Sequence, residues 1–179
     1  MPGRILQTAN PSQRGQRERM IAIEEITLIE APAERCFDLA RSVEVHLLGN
    51  IHFGESAVAS AGRTTGLIQE GERVTWRARH FWLWHELTTE ITYLKRPDYF
   101  RDVMVRGIFR SMTHDHYFRQ LPVGQTEMRD VFAVAAPLAV LGSIAEVAIL
   151  RRYMHGLLQE RNAAIRQLAE SEEWRNYLR

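Results

Sequence analysis

A single cysteine, Cys36, is the whole thiol complement of this chain of 179 residues. That excludes an internal disulfide and any zinc site built from several cysteines, and it points to a reducing, cytoplasmic address. Excess charge of either sign is also lacking, since 23 Lys and Arg stand against 22 Asp and Glu. Without a net field there is little to steer the protein onto nucleic acid, so a small molecule or another protein is the expected partner. No glycine-rich phosphate loop joins a strand to a helix, and Gly62-Arg63-Thr64-Thr65-Gly66 lacks the lysine arrangement that a nucleotide site needs. A Gly-x-Ser-x-Gly nucleophile elbow is missing as well, which argues against covalent hydrolase chemistry.

Long apolar runs are scarce. The first residues carry Arg4, Arg14, Arg17 and Arg19 without the apolar stretch of a secretory signal. Val131 to Leu150 holds one charged residue, Glu146, and is about long enough to span a bilayer, but Pro137 and Gly142 interrupt it. It reads as a strand, a turn and the start of a buried helix, so no transmembrane segment is expected.

What is present fits one globular domain, with 45% hydrophobic and 25% charged residues. Residues 1–19 are polar and rich in Arg and Gln, with too little apolar surface to offset the entropy of ordering, and read as a disordered leader. Met20, directly before the first strand pattern, is a candidate initiator. The domain is expected over 20–170, followed by a tail over 171–179.

Ile21 to Ile29 alternates as a first strand, ended by Ala31-Pro32. Pro32 suits a first helical position, Ala33 to Leu39 supplies a short helix, and Val43 to Leu48 a second. Further strands are read at Glu55 to Ser60, Arg73 to Phe81, Trp84 to Leu94, Tyr99 to Gly107, Met112 to Leu121 and Thr126 to Ala135. Turn chemistry such as Arg96-Pro97-Asp98 and Leu121-Pro122-Val123-Gly124 joins them as an antiparallel meander. From Leu138 to about Glu170, Leu141, Ile144, Ala148, Met154, Leu158, Ile165 and Leu168 recur near helical spacing, predicting one long closing helix. The expected class is α+β: a curved antiparallel sheet of six or seven strands wrapped around that helix. A strongly curved sheet cannot touch a straight helix everywhere, so a cavity between them is expected, closed at one end by the short helices.

Certain segments carry more specific information. They are Glu30-Ala31-Pro32-Ala33-Glu34-Arg35-Cys36-Phe37-Asp38, Phe100-Arg101-Asp102, Gly107-Ile108-Phe109, His114-Asp115-His116-Tyr117-Phe118, Gly124-Gln125-Thr126, Asp130, Pro137 and Gly142. In these the chain, from about Met20 to Glu170, resembles the START-like SRPBCC proteins of the polyketide cyclase/dehydrase type, the helix-grip proteins. The resemblance implies a helix-grip fold around an apolar pocket. It also implies binding or transport of a small hydrophobic molecule (lipid, isoprenoid or polyketide-like) or, alternatively, cyclase/dehydratase chemistry.

Several side chains are candidates for the work. A spacing of two on a strand points His114 and His116 to one face, a usable arrangement for a metal, but no third ligand is evident; no metal or other cofactor is expected. If the strands carrying His116 and Asp130 form a hairpin, one register sets Tyr117 opposite Asp130 and a slip of one residue sets His116 there instead, giving either a structural pair or a general base. Leu83, His85, Leu87, Ile91 and Tyr93 share a strand face expected to look into the pocket, with His85 either anchoring a ligand oxygen or bonded to a neighbour. The catalytic candidates are therefore His85, His116 and Asp130. The expected pocket lining is Trp76, His85, Leu87, Ile91, His114, His116, Tyr117, Leu141, Met154 and Leu158. Cys36 reads as a buried small hydrophobe rather than a nucleophile. Arg73, Thr75, Arg77 and Arg79 alternate as a solvated face or, with Arg101 and Arg106, a basic patch. Phe81-Trp82-Leu83-Trp84 reads as hairpin packing, a pocket rim or a docking patch, so a protein-interaction module is a third functional reading. A monomer or homodimer is expected.

Overall fold

The computed structural model describes residues 20–48, 57–80, 83–135 and 144–178, with backbone alone for 57–60, 78–80, 83 and 144–146. Seven strands run β1 (Met20–Ile29), β2 (Ala57–Gly62), β3 (Arg73–His80), β4 (Leu83–Lys95), β5 (Tyr99–Arg106), β6 (Ser111–Gln120) and β7 (Thr126–Ala135). The helices α1 (Ala33–Ala40) and α2 (Val43–Leu48) follow β1, and α3 (Ile144–Glu170) follows β7. The strands form one antiparallel sheet in the order β1-β7-β6-β5-β4-β3-β2. The hairpins from β2 to β7 join sequence neighbours, and β1 closes on β7. Register shifts between Thr88 and Thr89, between Ile91 and Tyr93 and between Ala59 and Ala61 interrupt the ladders. Such bulges bend and further twist a sheet, which curves this one around α3.

The strand patterns explain the inner face. On β1 Ile21, Ile23 and Ile29 are buried; on β7 so are Met128, Phe132 and Val134; on β6 so are Met112 and Phe118. Their alternating neighbours point to the outer face, where Ile26 and Leu28 are exposed. Helix α3 supplies Leu158, Ile165, Leu168 and Ala169 from one stripe at helical spacing. Phe37 of α1 meets Phe100 and Phe118 edge-on, each with ring centroids 5.4 Å apart. Aromatic pairs favour this edge-to-face arrangement.

Helix α1 begins at Ala33, with Pro32 extended at its N-cap (φ −61°, ψ 146°) and not at the first helical position. Pro32 has no side-chain donor or acceptor to cap with. The amide of Ala33 instead donates to Gln120 Oε1 at 2.8 Å, and Thr126 Oγ1 donates to the carbonyl of Ala31 at 2.6 Å. Two distant strands thus fasten the start of the short-helix pair. Residues 171–178 fold back on the domain. Ser171 accepts from the Glu173 amide to open a 3-10 turn (Glu172–Asn176), and Trp174, Tyr177 and Leu178 pack on the core. Among the described residues, no helix is long and apolar enough to cross a membrane. The expected leader, the Phe81-Trp82 half of the aromatic cluster, and Leu141 lie outside the described residues.

Candidate functional site

A polar layer crosses the interior between two apolar clusters. Below it Ile29, Phe37, Val74, Trp76, Ile91 and Phe100 pack with the short helices and the end of α3. Above it Ile21, Ile23, Met112, Phe132, Val134 and Leu158 form a second cluster. The layer arises because each element puts a polar residue at the same level of its inward stripe. Asp102 stands between Phe100 and Met104 on β5, His114 and His116 between Met112 and Phe118 on β6, and Asp130 between Met128 and Phe132 on β7. Helix α3 places Arg161 and Asn162 between Leu158 and Ile165.

The hairpin register sets His116 opposite Asp130 and His114 opposite Phe132, resolving the two alternatives in favour of the His116 pairing. His116 Nδ1 lies 2.6 Å from Asp130 Oδ1, with both side chains fully buried. His114 Nε2 reaches the same oxygen at 3.0 Å, and Asn162 Nδ2 donates to Asp130 Oδ2 at 2.8 Å. Arg161 Nη1 approaches Asp130 at 3.5 Å while its Nη2 donates to the carbonyl of Ala40 at 2.9 Å. Burial alone would raise the Asp130 carboxyl, but its electrostatic interaction with His116 and the hydrogen bonds from both histidines outweigh it and hold the group well below its ordinary range. An ionised carboxylate only accepts, so both imidazoles donate to it.

His116 therefore turns its other nitrogen away from Asp130. That Nε2 lies 3.1 Å from Asp102 Oδ2. Burial pushes the Asp102 carboxyl up, but the His116 hydrogen bond and the charges of His114, His116 and Arg161 leave it lowered overall. His114 is pushed down to about 4, chiefly by burial and then by the charge of His116, and so stays neutral near pH 7. Asp102, His114 and His116 each offer one donor atom, and the three atoms lie within 4.8 Å of one another. Nearby, His46 of α2 stacks on Trp76 with ring centroids 3.9 Å apart, and burial, followed by the charge of Arg161, depresses it to about 3. The Trp76 indole donates to Thr89 Oγ1 at 3.2 Å.

Neither a family model nor a curated protein matches the sequence. Solved structures do. Protein CV1439 from Chromobacterium violaceum aligns at a TM-score of 0.65 and 13% identity, over 84% of this chain and 98% of that one. A START superfamily protein from Mycobacterium smegmatis aligns at 0.58 and 12%, over 82% and 98%. Ara h 8.0201 aligns at 0.55 and 11%, over 82% and 97%. With the long closing helix held in a curved sheet of seven strands, these matches decide the fold.

The chain has the helix-grip fold. Within the helix grip, the expected site residues separate into groups. His114, His116 and Asp130 come together in the polar layer; Trp76 and Ile91 are buried in the cluster below it, and Leu158 in the cluster above, with Met154 half-buried beside it. Leu87 touches both clusters. Tyr117 does not face the interior. It stands on the outer face against Tyr99, with the Arg129 guanidinium 4.2 Å above its ring, because residue 117 falls on the opposite side of β6 from 116. Tyr93 also leaves the expected inner row and is exposed, since the register shift beside it moves Leu94 inward in its place. His85 is half-buried and opposite Ala78, roughly 20 Å along β4 from Ile91 by strand rise, and so apart from the His114 and His116 pair.

Two arginines of the outer face are paired with carboxylates and a third with a ring. Arg73 pairs with Glu90 at 2.6 Å, Arg101 with Asp115 at 2.6 Å, and Arg77 lies over the exposed Trp84 ring at 4.8 Å. Reasoning from the sequence missed Asp102, Arg161, Asn162 and His46. Asp102 was the most recoverable, since it shares its inward side with Phe100 on one strand. Arg161 falls among the polar positions between the apolar residues of the helical pattern, yet it and Asn162 are buried.

Proposed function

We propose that the chain binds a small hydrophobic molecule between the concave face of the sheet and the first half of α3, with the polar layer meeting the molecule's polar end. The observation that carries this reading is a pair of buried polar atoms, Arg161 Nε and Asn162 Oδ1, which have no hydrogen-bond partner. Buried polar atoms are nearly always satisfied in folded proteins, and exceptions call for a role. Leu87, Met104, Phe109, Val147, Leu150 and Met154 remain only partly buried although they pack on the upper cluster. An apolar wall leading to a few convergent polar groups is the usual make-up of a small-molecule site. The similarity in fold to a START superfamily protein supports the reading. Lipid, isoprenoid and polyketide-like molecules all suit such a wall, carried in a cytoplasmic protein.

The test is native mass spectrometry of the purified protein, followed by organic extraction. The expected result is a bound apolar molecule carrying an oxygen function, lost in a Met154→Asp variant that still folds. A protein that emerges empty and gains no thermal stability from isoprenoid, fatty or aromatic compounds overturns the reading.

A second reading is proton exchange on the bound molecule, as in a cyclase or dehydratase, and the close His116–Asp130 contact favours it. It requires turnover that disappears in His116→Gln while ligand binding persists.

A further inference from the structure

We propose that Asp102, His114 and His116 form a binding site for one divalent transition-metal ion, with zinc the best fit to its donors. Two imidazoles and one carboxylate are a common protein donor set for such an ion, leaving a further position for water or a ligand oxygen. The site differs from the hydrophobic binding reading and does not depend on it.

Two observations carry the assignment. The first is the donor geometry. The three donor atoms lie within 4.8 Å of one another, and His116 Nε2 and Asp102 Oδ2 at 3.1 Å are already close to the edge of a tetrahedron with bonds of about 2.0–2.2 Å. The second is orientation behind the donors. His116 presents Nε2 because Nδ1 is committed to the buried carboxylate of Asp130, and metal-bound histidines are typically held by a carboxylate on their other nitrogen in this way. Asp130 is itself fixed by Asn162 and Arg161.

Asp130 and His116 are sealed, but Asp102 keeps 21% of its side chain exposed and His114 keeps 10%. An ion therefore reaches the carboxylate first and the imidazoles after it. Asp130 is a positioning residue here, acting through His116.

The experiment is titration of the chelator-stripped full-length protein with Co²⁺, followed by visible absorption, with metal content measured separately after Zn²⁺ loading. One equivalent of metal per chain is expected, with intense absorption bands of a low-coordinate cobalt site. Proton NMR of the cobalt protein should show two shifted, solvent-exchangeable imidazole N–H resonances, a readout that needs no variant. Asp102→Asn should weaken uptake at least about tenfold, and Asp130→Asn about 10–100-fold by loosening His116. Asp115→Asn, on the outer face, should bind as the parent does. Folded parent protein that takes up no stoichiometric metal, a cobalt protein lacking those N–H resonances, or a folded Asp102→Asn that binds with unchanged affinity each overturn the proposal.

Discussion

His116 and Asp130 stand opposite each other on β6 and β7, and the 2.6 Å between Nδ1 and Oδ1 is spanned without exposure of either side chain. Asp130 also accepts from His114 and Asn162 and faces the Arg161 guanidinium. Removing it leaves Arg161 buried beside two imidazoles with no opposing charge at that point. Breaking a buried ion pair from one side costs roughly 3–5 kcal/mol. Asp130→Ala is therefore expected to lower the urea midpoint by a corresponding amount in the presence of a chelator. A loss below about 1 kcal/mol, the scale of an exposed pair, would show that the layer is not the closed network described here.

Cys36 is buried in α1, with Sγ 4.0 Å from the carbonyl of Ala31, and burial pushes its thiol up to about 11. Only the thiolate reacts with aromatic disulfides. At pH 8 the folded protein is expected to give almost no colour with such a reagent, and one thiol per chain once guanidinium is added. Rapid reaction of the native protein would place Cys36 at an accessible surface.

Asp38 accepts from two arginines, Arg41 Nη2 at 2.8 Å and Arg96 Nη2 at 2.9 Å. Burial raises its carboxyl, but the hydrogen bonds from Arg96 and Arg41 outweigh that and lower it below the ordinary 3.8. A carboxyl lowered in the folded state adds stability above its unfolded pKa, and that stability is lost as pH falls through the folded value. Wild type is thus expected to exceed Asp38→Asn in urea midpoint near neutrality, by less than about 1 kcal/mol given the exposure of Arg96. The difference should shrink below about pH 4. A gap that widens on acidification would contradict the pairing.

Gly62 and Gly124 both have positive φ, at 77° and 81°. A Cβ on Gly62 would fall 2.1 Å from the Arg73 carbonyl oxygen, whereas on Gly124 it meets nothing within 4 Å. Gly124→Ala should carry only the backbone strain of about 1–2 kcal/mol. Gly62→Ala must also push β3 away from β2, so its melting temperature should fall clearly further. Equal losses would mean that β2 is free to yield.

Sequence alone determined the order and type of the elements. Thr126–Ala135 and Val43–Leu48 are read at their observed limits, and the other strands within a few residues. Periodicity of two against periodicity near 3.6 is a local property, written in which residues can bury one side of an element. The same local pattern placed His114 and His116 on one face. It did not disclose that Asp102 supplies the third donor, because Asp102 and His114 become neighbours only through the β5–β6 register. Nor did it tell Tyr93 from the inner row, since a register shift between strands reverses a face without any signature in composition. Arg161 and Asn162 lie on a helix whose polar and apolar residues are mixed, so its periodicity does not mark them as inward-facing. They are buried because the sheet curves far enough to cover them. Which polar residues share a level, and hence which charges must balance one another, was decided by the tertiary structure, where strand register and helix rotation bring distant residues to hydrogen-bonding distance.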